Sequence, residues 1–115
     1  MALIGLSVPA AAADVNAPAQ ATAAVITLAA VAGKKHIISQ ITYSYSATPT
    51  GGNLKVEDVS GTTVFNVDVP AAGVGQIFFR QPLRGAAANT AMIITLASGA
   101  GTVVGKVNVI HWTEE

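Results

Sequence analysis

Apolar and polar positions alternate with a period of two along most of this 115-residue chain. The alternation is most continuous over residues 34–46, KKHIISQITYSYS, a run without Gly or Pro. Ile37, Ile41, Tyr43 and Tyr45 fall on one face of it, and Ile38, Gln40, Thr42 and Ser44 on the other. Such dense β-branched and aromatic chemistry predicts a central strand whose apolar face rests on a second sheet.

The flanking segments follow the same logic. Residues 22–31 (TAAVITLAAV) are ambiguous by periodicity, but Ala32-Gly33 bounds them and makes them the strand before this one. Thr48-Pro49-Thr50-Gly51-Gly52 predicts a loop, because proline fixes φ and glycine permits positive φ. Residues 53–59 and 62–70 predict a hairpin about Ser60-Gly61, with Phe65, Val67 and Val69 on one face. In residues 74–80, Ile77 and Phe79 share a face and Phe78 takes the other, which predicts a strand covered on both sides. Residues 81–89, QPLRGAAAN, predict the longest loop of the body. Two further alternating runs, 90–97 and 102–112, flank a turn at 98–101. Seven body strands with turns every eight to twelve residues predict an all-β chain, a single β-sandwich of jelly-roll or Greek-key type.

The first 21 residues differ in kind. Their Ala-rich stretch resembles a signal-peptide cleavage region, yet no Lys or Arg precedes it and Pro9 interrupts it; it is also too short for a transmembrane helix. The expectation is an extended arm over 1–21 and a sandwich domain over 22–115. Leu3, Ile4, Leu6 and Val8 form a short apolar strand suited to a neighbour's sheet edge, which would bring the strand count to eight.

Composition then changes the picture. Hydrophobic residues are 51% and charged residues 10%, against roughly 25% charged in a typical soluble domain. Too few charges remain to cover a small domain, so contact with other protein chains is expected. Six basic and six acidic residues cancel, which argues against nucleic acid or an anionic membrane as partner. The absence of cysteine removes disulfides, thiolate metal sites and cysteine nucleophiles together.

Candidate chemistry is sparse. His36 and His111 lack an inferable third metal ligand. Ser39, His36 and Asp58 supply triad residue types without a nucleophile elbow. Glu57 and Asp58 are adjacent and so point to opposite strand faces, as solvated or turn residues. Gly99-Ala100-Gly101 opens a strand, whereas a phosphate cradle needs a helix. Tyr43, Tyr45 and Trp112 are the residue types of an aromatic sugar platform, but Tyr43 and Tyr45 fall on the apolar face of their strand, which favours core packing. No enzyme activity, cofactor or metal is expected.

Taken in order, VITLAAVAGKKHIISQITYSYSATPTGGNLKV and FNVDVPAAGVGQIFFRQPLRGAAANTAMIITLASGAGTVVGKVNV resemble a family of small β-sandwich structural proteins of tailed bacteriophages. The features that carry the resemblance are an Ala-Gly-Lys entry to an aromatic-rich strand, a Pro-Thr-Gly-Gly loop, Pro82-Leu83-Arg84-Gly85 followed by alanines and Asn89-Thr90, and the closing Gly105-Lys106-Val107-Asn108-Val109. It implies a homotrimeric capsid decoration (cement) protein made in the bacterial cytoplasm, displayed on the virion and bound to the major capsid protein. The alternative is a receptor- or glycan-binding module of a head fibre or tail. Candidate partner contacts are Leu3, Ile4, Leu6 and Val8 in the arm, which lies outside the resemblance, and Arg84.

Overall fold

A computed structural model describes residues 12–115. Eight strands follow one another: β1 (Ala12–Asn16), β2 (Ala24–Leu28), β3 (Lys35–Tyr45), β4 (Asn53–Asp58), β5 (Thr63–Asp68), β6 (Gly73–Arg84), β7 (Met92–Leu96) and β8 (Gly105–Glu114). They form two antiparallel sheets, A in the order β1-β8-β3-β6 and B in the order β2-β7-β4-β5. First pairs with last throughout, β1 with β8, β2 with β7, β3 with β6 and β4 with β5. The chain is thus one antiparallel ribbon closed at Ser60-Gly61 and rolled up, with the β3–β8 and β4–β7 ladders locking the roll. This is the jelly-roll arrangement of a β-sandwich.

Alternation decides which side chains enter between the sheets. On sheet B, Ile26, Ile94 and Val56 stand in one row, flanked by rows Ala24–Leu96–Leu54 and Leu28–Met92–Asp58. Sheet A opposes them with Ile38, Ile41, Tyr45, Val107 and Val109, all buried. Each fully buried Leu, Ile or Val contributes about 1.5–3 kcal/mol relative to exposure. On one flank, Phe65 of β5 and Phe79 of β6 meet edge to face at 5.2 Å, the geometry the ring quadrupole favours. On the other, the Asn16 side-chain oxygen accepts the Val25 amide proton at 3.3 Å and links the β1 and β2 edges.

Tyr45 is buried, and its hydroxyl donates to the Ala97 carbonyl at 2.5 Å. Burial pushes its phenol above the usual tyrosine range. It faces Gly73 on one side and Gly105 on the other, while Tyr43 faces Gly75. A Cβ at Gly75 would press into the Tyr43 ring. A Cβ at Gly105 would lie 3.2 Å from the Tyr45 ring, so Gly75 and Gly105 are room that the tyrosines use, whereas a Cβ at Gly73 would meet nothing within 4 Å.

Four expectations change. The ladder slips between Ile38 and Gln40, so Ser39 is a bulge that inverts the facing of all earlier residues. Ile38 joins Ile41 in the core, while Ile37, opposite Arg84 and Trp112, is buried on the outer side of sheet A. The Ser39 hydroxyl donates to the Ile110 carbonyl at 3.2 Å beside the irregularity. Second, β1 lies inside the segment expected to be an arm, and all five of its residues pair along β8. Backbone pairing needs no side-chain pattern, and alanines display none. Third, Arg84 sits on a strand: after the bulge, pairing resumes at Leu83 and Arg84, and Pro82 is tolerated because β6 is an edge strand. Fourth, β6 is not covered on both faces, since Phe78 is 67% exposed.

Candidate functional site

The outer face of sheet A, the one turned away from the core, can be written as rows across β8, β3 and β6. From one end these are Glu114–Lys35, Trp112–Ile37–Arg84, Ile110–Gln40–Phe78, Asn108–Thr42–Gln76 and Lys106–Ser44–Val74, with Val15 of β1 beside Asn108. The third and fourth rows hold no charge. Val15 and Val74 are 64% and 77% exposed, one at each edge of the sheet, with Phe78 near Val74 on β6. Singly exposed apolar residues are ordinary, but a contiguous uncharged face bordered by them is the composition of a protein contact.

Two hollows flank the start of β6. One of about 400 Å³ opens on the outer face between Ser44, Ser46, Val74, Val104 and Lys106. The other, about 160 Å³, lies between Tyr43, Asp68, the Pro70–Ala72 connection and Gly75. Gly73 and Val74 line both.

At the far end of the same face Arg84 forms an ion pair with Glu114, whose other oxygen accepts the Trp112 indole proton at 3.0 Å. The indole bond first, and then Arg84, hold the Glu114 carboxyl below the usual glutamate range. A carboxylate lowered in the folded state adds stability above its unfolded value and loses it as pH falls through the folded one. Trp112 is the sole tryptophan, so its fluorescence reports this contact. An acid titration is expected to change emission with a midpoint below that of a free glutamate, and Glu114→Gln is expected to abolish the step.

The remaining polar groups lie inward. His36 and Asp58 are buried, which corrects the expectation that Asp58 is solvated: β4 alternation carries it to the inner face beside Met92. Its Oδ2 accepts the Ala86 amide proton at 2.8 Å, and the Gly85 amide donates to the His36 carbonyl at 2.9 Å. His36 Nε2 lies 2.6 Å from the Ala29 carbonyl, an acceptor, so this nitrogen carries the proton. Asn89 adds Oδ1 to the Gly33 amide at 2.6 Å and its own amide to the Lys34 carbonyl. The Arg-Gly-Ala-Ala-Ala-Asn segment is therefore a clasp that fastens the β2–β3 corner to β4.

The triad residue types are not brought into contact as a relay. Ser39 binds Ile110, His36 binds Ala29 and Asp58 binds Ala86. His111 instead meets Asp14 at 3.2 Å. Among the described residues no group of three or more His, Cys, Asp or Glu is placed to hold a metal ion. Nor do Tyr43, Tyr45 and Trp112 share a surface, since Tyr43 packs against the core, Tyr45 is within it and Trp112 is on the outer face. Leu3, Ile4, Leu6 and Val8 lie outside the described residues. Phe78 and Val74, the most exposed of the large apolar side chains, are not among the residues singled out by sequence. Their alternation was legible, but periodicity cannot say which face of an edge strand stays uncovered.

No family model matches the chain, and no curated protein matches it. Solved structures similar to it include the family 32 CBM from C. perfringens NanJ in complex with galactose, at 14% identity and a TM-score of 0.44 over 87% of this chain and 93% of that one. Another is the virus-like particle of the giant freshwater prawn Macrobrachium rosenbergii extra small virus, at 13% identity and a TM-score of 0.39 over 100% of this chain and 84% of that one. Neither is a tailed-phage protein.

Proposed function

We propose that the chain is a non-enzymatic virion protein of a tailed phage, a capsid decoration (cement) protein that bridges neighbouring copies of the major capsid protein. The observation that carries this reading is the outer face of sheet A, whose two middle rows bear no charge and whose edges expose Val15, Val74 and Phe78. Closing such a face against protein buries apolar surface without stripping water from an ion. The order of motifs from the Ala-Gly-Lys entry to Gly-Lys-Val-Asn-Val supports the same reading. The mechanism is mechanical: each copy spans a seam, and simultaneous contacts multiply modest affinities. Leu3, Ile4, Leu6 and Val8, outside the described residues, are proposed as a second contact.

Emptied particles of the source phage, mixed with labelled protein, are expected to bind it saturably. Removal of residues 1–11, which leaves every residue of β1 in place, is expected to weaken binding at least tenfold, or about 1.4 kcal/mol. Binding to glycans with none to shells would sink the cement reading in favour of a glycan-binding module on a head fibre or tail.

A further inference from the structure

We infer that two copies of the chain join edge to edge through β6, about a two-fold axis at Gln76, so that sheet A continues into a second sheet A. Among the described residues, 73–78 pair on one side with β3 and β6 is last in its sheet. Natural edges are protected by charge, proline or a bulge. All three occur on β6, but only past this stretch: four residues, 79–82, stand opposite Ser39, and they include Arg80 and Pro82. Residues 73–79, GVGQIFF, carry neither charge nor proline, and the glycines at 73 and 75 leave the backbone edge unshielded.

Antiparallel pairing centred on Gln76 matches large residues to small ones at each step. On the outer face Phe78 of one copy falls opposite Val74 of the other, at the mouth of the hollow of about 400 Å³ that Val74 lines. On the inner face Phe79 falls opposite Gly73, where a Cβ would meet nothing within 4 Å, and Ile77 falls opposite Gly75, where the chain's own Tyr43 ring already fills that space. Gln76 meets its own copy, and two amides pair reciprocally. Moving the centre to Gly75 loses these matches, because it sets Gly75 against itself and Phe78 against Ala72.

Arg80 of one copy falls opposite Ala72 of the other, which lines one hollow together with Asp68. Among the described residues neither Arg80 nor Asp68 has an ion-pair partner within its own chain. At the other edge of the sheet, β1, the Asn16 side chain accepts the Val25 amide proton from β2.

Sedimentation of the full chain is expected to give twice the 11.5 kDa mass of one copy. Opposed residues of an antiparallel pair have Cα atoms about 4.5–5.5 Å apart, within the span of a disulfide. The chain has no cysteine, so Gln76→Cys is expected to form a disulfide-linked dimer under mild oxidation. Asn66→Cys, on the outside of sheet B, is the control expected to stay reduced. Phe78→Glu is expected to weaken dimerisation at least a hundredfold with an unchanged far-UV spectrum. A monomer at about 100 µM, a trimer, or equal cross-linking of the two cysteine variants would overturn the two-fold pairing. Those outcomes leave shell binding standing, and a dimer that fails to bind shells sinks only the cement reading.

Discussion

An Ile94→Ala variant is expected to lose about 3–4 kcal/mol of folding stability. Ile94 is fully buried in the middle row of sheet B, between Ile26 and Val56. Both neighbours are held in register by their own ladders and cannot close over the gap. Truncating a buried isoleucine costs about 2–5 kcal/mol, the upper part where the cavity persists. Against a usual total of about 5–15 kcal/mol, the thermal midpoint should fall by roughly 10–20 °C. Ile93→Ala is the comparison, since Ile93 is half-buried on the outer side of the same strand; it should cost less than half as much. Equal losses in paired melting curves would show that the middle row is not the stability centre argued here.

A Gly52→Ala variant is expected to lose about 3 kcal/mol, and more than Gly51→Ala beside it. Gly51 has φ +74° with open space around it, so alanine there meets only the left-handed penalty of about 1–2 kcal/mol. Gly52 has no such dihedral, but a Cβ there would enter the Val69 carbonyl oxygen and lie 2.7 Å from the Pro49 ring. That carbonyl belongs to the residue whose amide donates to Gly52 at 3.0 Å. Because the obstacle is backbone and not the end of a flexible side chain, relief requires moving the β3–β4 loop, which puts the cost at the top of the overpacking range. Denaturant midpoints of the two variants give the order directly, and a more damaging Gly51→Ala would refute it.

Much of the fold was legible because alternation and burial coincide. Met92, Ile94 and Leu96 enter the core as their spacing predicts, and so do Leu54 and Val56. Legibility stopped where one residue changes parity. Nothing about Ser39 distinguishes it from a strand serine, yet the slip there sends Ile37 outward and Ile38 inward. The β1 strand was illegible for the opposite reason: Ala12 and Ala13 carry no contrast, and their pairing is written in β8. For the candidate site, the sequence announced an apolar, charge-poor protein but not where that surplus lies. Phe78 looks like any core phenylalanine until the strand order places β6 at an edge, while Arg84 is fixed by Glu114, thirty residues away in the chain.

The rolled ribbon also sets an order of assembly. Val56 and Phe65 are close in sequence, whereas Ala12 must find His111 across almost the whole chain. Loop-closure entropy grows as the logarithm of the separation, so making the β1–β8 ladder first costs about 2 kcal/mol more than making the β4–β5 hairpin first. Closing the hairpin and zipping outward removes that difference, because each completed pair delivers the next two strands to one another. Folding is therefore expected to run from Ser60-Gly61 toward the termini and to be slow for the chain's size, because native contacts are mostly remote in sequence.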